Sequence, residues 1–190
     1  AVGDHTDPFL LRKDDALAAP LVPQQLPAAL STVYNDAISA VLVDASTVYA
    51  LGYYKTEPSE YTLFLLAFAE DAEPTEQDLH EVGVAAGIPV ISPALVRVGE
   101  RLVWTGYAEE GGKATPQLGY VDLANLDNPV SLPLTGTGKA RITALAAVPG
   151  SQSAVLLAGL VDEGPLALGG LNLPAPGGSP RPFIARLELP

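Results

Sequence analysis

Three apolar runs follow one another closely in residues 38–68, which read ISAVLVDASTVYALGYYKTEPSEYTLFLLAF. The first run, Ile38–Val43, is separated from the second only by Asp44-Ala45-Ser46, a turn of hairpin length. The second run closes on Gly52-Tyr53, and the third, Tyr61–Phe68, follows a polar loop. Apolar runs of this size between short turns predict β-strands and hairpins.

The same plan recurs twice further along the chain. In each copy the second run ends on a glycine, and these anchor glycines, Gly52, Gly106 and Gly159, lie 54 and 53 residues apart. The first run of each copy is predicted at Ile38–Val43, Ala94–Val98 and Ile142–Val148. A third strand is predicted after each hairpin, at Tyr61–Phe68, Gln117–Leu123 and Phe183–Leu189.

A weaker fourth strand is predicted at Leu79–Ala85 and at Val130–Leu134. The third copy has no room for a fourth strand, because the sequence ends at Pro190. The repeat domain therefore covers residues 38–190, with units at about 38–85, 94–134 and 142–189.

Four antiparallel strands per unit, at a period of about 50 residues, are typical of β-propeller blades. From Ile38 to Leu189 the chain resembles kelch-like propeller repeats. It keeps one glycine, in Gly52-Tyr53, Gly106-Tyr107 and Gly159-Leu160, where a kelch repeat usually has two, and Trp104 stands at a different place from the kelch tryptophan. The resemblance implies an all-β fold, a β-propeller-like array of three and a fraction four-stranded antiparallel blades. A β-sandwich is the alternative.

Residues 1–37 are predicted to form an extended segment. Pro20, Pro23 and Pro27 rule out a continuous helix and restrict strand pairing to sheet edges. Because Pro8–Arg12 resembles Pro182–Arg186, we also consider that this segment is the tail of a preceding blade.

Composition excludes several classes of function. The net charge is −12 with only 10 Lys and Arg residues, which argues against binding to nucleic acid or to an anionic membrane. No apolar run reaches the roughly 18 residues of a membrane span. The absence of Cys excludes disulfides and zinc–thiolate sites. Because the sequence starts at Ala1, a processed end is expected, and we predict an extracytoplasmic location, which means periplasmic, cell-surface or secreted.

Six carboxylates follow the second strands or precede the third strands of the units. They are Glu57, Glu60, Glu109, Glu110, Asp162 and Glu163. By analogy with propeller blades, these loops gather on one face, where the carboxylates would take a cation, a sugar or a basic peptide. The simpler interpretation, charges that solvate a loop face, is favoured. The 162–182 loop is the longest, and we consider it the best binding-loop candidate.

Other polar features are weaker candidates. His5 and His80 have no spacing typical of a catalytic or metal site. The acidic segment Glu70–Asp78 and the segment Asp122–Asn128 are interpreted as turns and solvated loops, and Gly136–Lys139 as a loop, since it lacks the rest of a phosphate-binding motif. No cofactor is predicted, and calcium is the one ion that the acidic segments leave open.

We therefore predict a non-catalytic interaction or scaffold module that belongs to a larger protein or assembly. Its partner would be another protein, further propeller blades or a second copy. Two alternatives stay open: a carbohydrate-active hydrolase or lyase that uses the loop carboxylates, and a structural subunit of the cell envelope or of an appendage.

Overall fold

The computed structural model describes residues 10–12, 22–24, 26–30, 37–57, 60–86, 88–90, 94–110 and 113–190. These residues form an all-β fold with no α-helix among them. Their strands are β1 (Leu10–Arg12), β2 (Val22–Gln24), β3 (Ala37–Asp44), β4 (Thr47–Glu57), β5 (Glu60–Ala69), β6 (Leu79–Ala86), β7 (Ile88–Val90), β8 (Leu95–Val98), β9 (Arg101–Glu110), β10 (Lys113–Asp122), β11 (Asn125–Ser131), β12 (Leu134–Gly136), β13 (Lys139–Ala147), β14 (Ala154–Glu163), β15 (Leu166–Leu168), β16 (Leu171–Leu173) and β17 (Arg181–Glu188). Ala28–Leu30 and Glu76–Asp78 are short 3-10 helices.

Three antiparallel sheets correspond to the three sequence repeats. The first sheet has the order β3-β4-β5-β6, and the third has the order β13-β14-β17. In the second sheet, β11-β10-β9 continues to β7 and β8, which both pair with β9, so its first strand is in two pieces. The three predicted hairpins are thus confirmed, whereas the described sheets neither close into a barrel nor complete a propeller ring.

Two smaller sheets accompany the three repeat sheets. β12, β15 and β16 form one of them, within the third repeat. The other is a ribbon of β1 and β2 at the N-terminal end of the chain. Most of residues 1–37, including His5, lies outside the described residues. Before β3, the structure describes only this ribbon and residues 26–30.

The fourth strand of the second repeat was predicted at the wrong place. It spans Asn125–Ser131, because a two-residue turn after Asp122 brings Asn125 back into register with β10. Pro133 lacks a backbone N–H and stands just beyond this strand, so Leu134 starts β12 in a different sheet. The segment 122–128 is accordingly a hairpin rather than a loop.

The anchor glycines have a physical role that the third strand reveals. A Cβ on Gly52 would overlap the carbonyl oxygen of Ala37 and the ring of Phe64, which is the cross-strand partner of Gly52. Gly159 is enclosed in the same way by the carbonyl of Arg141 and the ring of its partner Phe183. At these two glycines the missing side chain makes room for an aromatic ring of the third strand, next to an irregularity in the first strand.

The three repeat sheets stack face to face. One cluster joins the first sheet to the second and contains Ala40, Tyr49, Leu51, Leu63, Leu65, Val82, Leu95, Leu102, Trp104 and Val121. The next cluster joins the second sheet to the third and contains Val98, Val103, Leu118, Tyr120, Leu132, Ile142, Val155, Leu157, Leu168, Leu187 and Leu189. Both faces of the second sheet are therefore covered by a neighbouring sheet.

Arginine side chains tie the sheets together at the end where the first and second strands turn. Arg97 of the second sheet donates to the carboxylate of Asp44 in the first, and this hydrogen bond raises the pKa of the Arg97 guanidinium above its ordinary value. Arg101 donates from the second sheet to the carbonyl oxygen of Pro190, at 2.6 Å. These contacts join the second sheet to the first hairpin turn and to Pro190, which follows the third sheet's last strand.

Candidate functional site

The six predicted carboxylates lie at strand ends rather than in loops. Glu57 ends β4 and pairs with Glu60 at the start of β5. Glu109 and Glu110 end β9, where they pair with Ala114 and Lys113 of β10. For these four residues the structure describes only the strand position and the pairing. No described contact joins any of the six to another across two sheets, so the predicted ring of carboxylates stays a prediction.

Asp162 is held by an internal ion pair. Its Oδ2 accepts a hydrogen bond of 3.0 Å from Nε of Arg141, and the side chain is 16% exposed. Its Oδ1 is buried and has no donor among the described residues. Glu163 is exposed and stands opposite Lys139 in the strand register. Asp162 therefore forms an ion pair within its own sheet, and a ligand-binding role for these carboxylates stays a prediction.

The remaining sequence candidates have structural roles. His80 contacts Asp127 at 2.6 Å, an ion pair or hydrogen bond between the fourth strands of the first and second sheets. In the acidic segment, Thr75 and Asp78 form a capping box around the 3-10 helix Glu76–Asp78. Lys139, which ends the glycine-rich segment, donates to Thr115 at 3.3 Å.

Three large aromatic side chains belong to the core. Tyr49, Trp104 and Tyr120 are buried in the clusters between the sheets. These three side chains therefore form no exposed aromatic platform.

The long loop between the second and third strands of the third repeat contains regular structure. β15 and β16 lie within it, and β15 pairs with β12, which precedes the third sheet. Leu166, Leu173 and Val161 share a small core where this hairpin packs on the third sheet. The insertion is therefore anchored, and its last strand runs close to β17.

A cleft of about 370 Å³ lies between β16 and β17. Five consecutive residues of β17, Arg181–Ala185, form one wall, and the segment Leu171–Pro174 forms the other. Side chains alternate between the two faces of a strand, so five consecutive residues can line one cleft only if it runs along the edge of the strand. We call this cleft the edge slot.

Both walls of the edge slot have unused hydrogen-bonding groups. β17 pairs with β14 on one side, and β16 pairs with β15 on one side; neither has a second partner among the described strands. At the corresponding place, the first sheet holds β6 and the second holds β11. The edge slot thus stands where no described strand occupies the fourth position of the third sheet.

Two polar side chains line the edge slot besides the backbone groups. Asn172 and Arg181 are exposed, and within the described chain Arg181 forms no ion pair. Neither was a candidate from the sequence. The one available signal was the missing fourth strand of the third repeat, which predicts an open edge but not the hairpin that faces it.

Comparison with protein-family models, with curated proteins and with solved structures finds no match to this chain. The role of the site therefore has to be argued from its geometry. In the described part of the chain, no helix is long and apolar enough to cross a membrane. The same residues bring together no group of three or more acidic or histidine side chains that could hold a metal ion.

Proposed function

We propose that the chain is a non-catalytic interaction module of β-propeller-like architecture, and that the edge slot is its binding site. The observation that carries this proposal is the unpaired edge of β17 beside a cleft, at the place where the other two sheets hold a fourth strand. An extended segment of a partner protein would add to that edge by main-chain hydrogen bonds, as in other cases of strand addition.

The repeated construction supports the propeller-like arrangement. Three sheets of the same strand order stack face to face and are tied at the same end by Arg97 and Arg101. Blades of a propeller are related to one another in this manner. A place within a larger protein or assembly, outside the cytoplasm, is part of the same proposal.

The chemistry of the slot selects an extended segment that carries a carboxylate. Arg181 offers a guanidinium and Asn172 an amide beside apolar walls formed by Leu173 and Phe183. The fourth strand of the first sheet, β6, is a template for such a segment. Phe64 and Phe183 correspond to each other, because each pairs with an anchor glycine. In the first sheet, β6 places Glu81 opposite Phe64.

A peptide from the chain itself tests this proposal. A fluorescent peptide of residues 79–86, Leu-His-Glu-Val-Gly-Val-Ala-Ala, is titrated with the protein and its anisotropy is measured. We expect saturable binding that weakens about tenfold in Arg181→Glu, the scale of one lost charged hydrogen bond. Arg186→Glu, on the same strand but outside the slot lining, is the matched control and should bind normally.

A second peptide tests strand pairing itself. Replacement of both Gly83 and Val84 of the peptide, which are paired with β5 in the first sheet, by proline removes backbone donors on both sides of the strand and disfavours an edge-to-edge ladder, so this peptide should not bind. Equal binding of both peptides, or no binding of the first, would refute strand addition at β17.

A further inference from the structure

The anchor glycines define which face of each sheet points toward which neighbour. Residues three positions before the glycine, Tyr49 and Val103, pack against the sheet that follows in the chain. Residues two positions before it, Trp104 and Leu157, pack against the sheet that precedes. Residues in different sheets are called equivalent when they stand at the same distance from the anchor glycine, or pair with residues that do.

This rule identifies an uncovered face on the third sheet. Ile184 is equivalent to Leu65 and Leu118. These two leucines are 0% and 3% exposed because the following sheet covers them, whereas Ile184 is 82% exposed. Leu156, equivalent to the buried Val103, is 39% exposed. A shallow depression of about 120 Å³ lies among Ala144, Ala146, Leu156, Ala158 and Ile184 on this face.

The first sheet has an uncovered region on its opposite face. Val41 is equivalent to Leu95, which is 7% exposed beneath the preceding sheet, but Val41 itself is 50% exposed. Val43, two residues further along the same strand, is 55% exposed. The segment Leu26–Leu30 covers another part of this face, around Phe64 and Leu66, and leaves the β3 side open.

Every exposed large hydrophobic side chain among the described residues therefore lies on one of the two outer faces of the stack. They are Val41, Val43, Leu156 and Ile184. The apolar centre of the third-sheet face is flanked by two ion pairs, Arg141–Asp162 and Arg186–Glu188. An apolar centre with a charged rim is the usual composition of a protein interface.

We propose that a second copy of this chain continues the stack. The outer face of the third sheet packs on the β3 side of the first sheet of the second copy, by the same face-to-face relation that joins consecutive sheets within one chain. A second contact of the same kind closes two copies into a ring of six sheets, a number within the usual range of propellers. The closed ring rests on the propeller-like architecture proposed above, whereas the face-to-face contact is independent of the edge slot.

Light scattering after size exclusion and native mass spectrometry test the second copy. At tens of micromolar we expect twice the 19.6 kDa mass of the chain. Leu156→Asp and Val43→Asp should each give the monomer mass, and Ala146→Asp should repeat the effect of Leu156→Asp. Ser179→Asp, in an exposed loop, is the matched control and should stay a dimer. Unchanged circular dichroism shows that the variants are folded.

Mixing the two disrupted variants separates this arrangement from its rivals. In a head-to-tail ring, Leu156→Asp mixed with Val43→Asp leaves one interface unaltered, so a mixed dimer should reappear. A wild-type protein that stays monomeric refutes the proposal. It is equally refuted if Val43→Asp stays dimeric while Leu156→Asp dissociates, because two third sheets would then face each other. Neither substituted residue lines the edge slot, so peptide binding to these variants tests the proposed function separately.

Discussion

The second and third sheets are built on one plan but differ in how much of it is completed. The second sheet is packed on both faces, and its third strand β10 pairs on both sides. Within the described part of the chain, the third sheet is packed on one face, and its third strand β17 pairs with β14 alone. Among the described residues, the third sheet therefore combines an open face with an open edge.

This difference separates residues that stabilise the fold from residues available for binding. Equivalent positions carry apolar side chains in both sheets, so local sequence does not distinguish them. Burial depends on the neighbouring sheet, which covers Leu118, whereas no described sheet covers Ile184. Substitutions at equivalent positions can therefore measure how much stability each neighbour supplies.

The largest expected difference is between Leu118→Ala and Ile184→Ala. Leu118 is buried between two sheets, and its truncation should cost about 2–5 kcal/mol through lost burial and a residual cavity. Ile184→Ala should change stability by less than about 0.5 kcal/mol in the monomer, as is usual for an exposed site. Urea unfolding at a concentration where the chain is monomeric measures both, and equal losses would contradict the equivalence.

A smaller effect is expected at the glycines that receive aromatic rings. Gly119→Ala in the second sheet would push a Cβ into the ring of Trp104, and Gly159→Ala in the third would push one into the Arg141 carbonyl and the Phe183 ring. Each should cost about 1–3 kcal/mol through overpacking. Gly159→Ala should cost more, since a backbone carbonyl cannot move aside as a side chain can.

Gly177→Ala is the matched control for both glycine variants. A methyl group at Gly177 would have no neighbour within 4 Å, and the residue needs no left-handed backbone. Thermal unfolding should show no loss, because the substitution only reduces the freedom of the unfolded chain. A loss at Gly177 as large as at Gly159 would mean that close approach is not the cause.

The smallest expected effect concerns the two ion pairs at the rim of the open face. Arg141→Gln leaves the largely buried Asp162 without its cation, and a loss of about 1 kcal/mol is expected after allowance for the half-exposed arginine. Arg186→Gln breaks an exposed pair and should cost about 0–0.5 kcal/mol. Chemical unfolding in low and high salt measures the stability loss of each variant. A larger loss of stability in Arg186→Gln than in Arg141→Gln would contradict this prediction.

Local sequence predicted the hairpins well because their signals are local. The apolar runs and the short turns between them set the first two strands of each repeat, and the structure confirms these hairpins. The second strands continue several residues beyond Gly52, Gly106 and Gly159, where the apolar runs were predicted to end. The error at the fourth strand of the second repeat came from a turn at Leu123-Ala124, which reads in the sequence as part of a loop. The runs Leu166–Leu168 and Leu171–Leu173 are three residues each, too short to predict strands.

The candidate site was harder to predict because it depends on the open edge of β17, where no described strand pairs. Carboxylates are natural candidates for a binding site in a sequence, yet Asp162 accepts a hydrogen bond from Arg141 of the neighbouring strand. Arg181 is unremarkable in the sequence and becomes a candidate only because β17 has no fourth strand beside it among the described residues and β16 faces it across a cleft. The residues of β16 and β17 that face each other across the cleft are not linked by any periodicity in the sequence.

Residue-resolved amide hydrogen exchange on monomeric protein tests the difference between the two sheets most directly. Gly119 and Tyr120 of β10 are paired on both sides, so both amides should exchange slowly. Along Phe183–Arg186 of β17, amides bonded to β14 should be slow and those on the open edge fast, in alternation. Uniformly slow exchange along β17, or an alternating pattern at β10, would contradict the account.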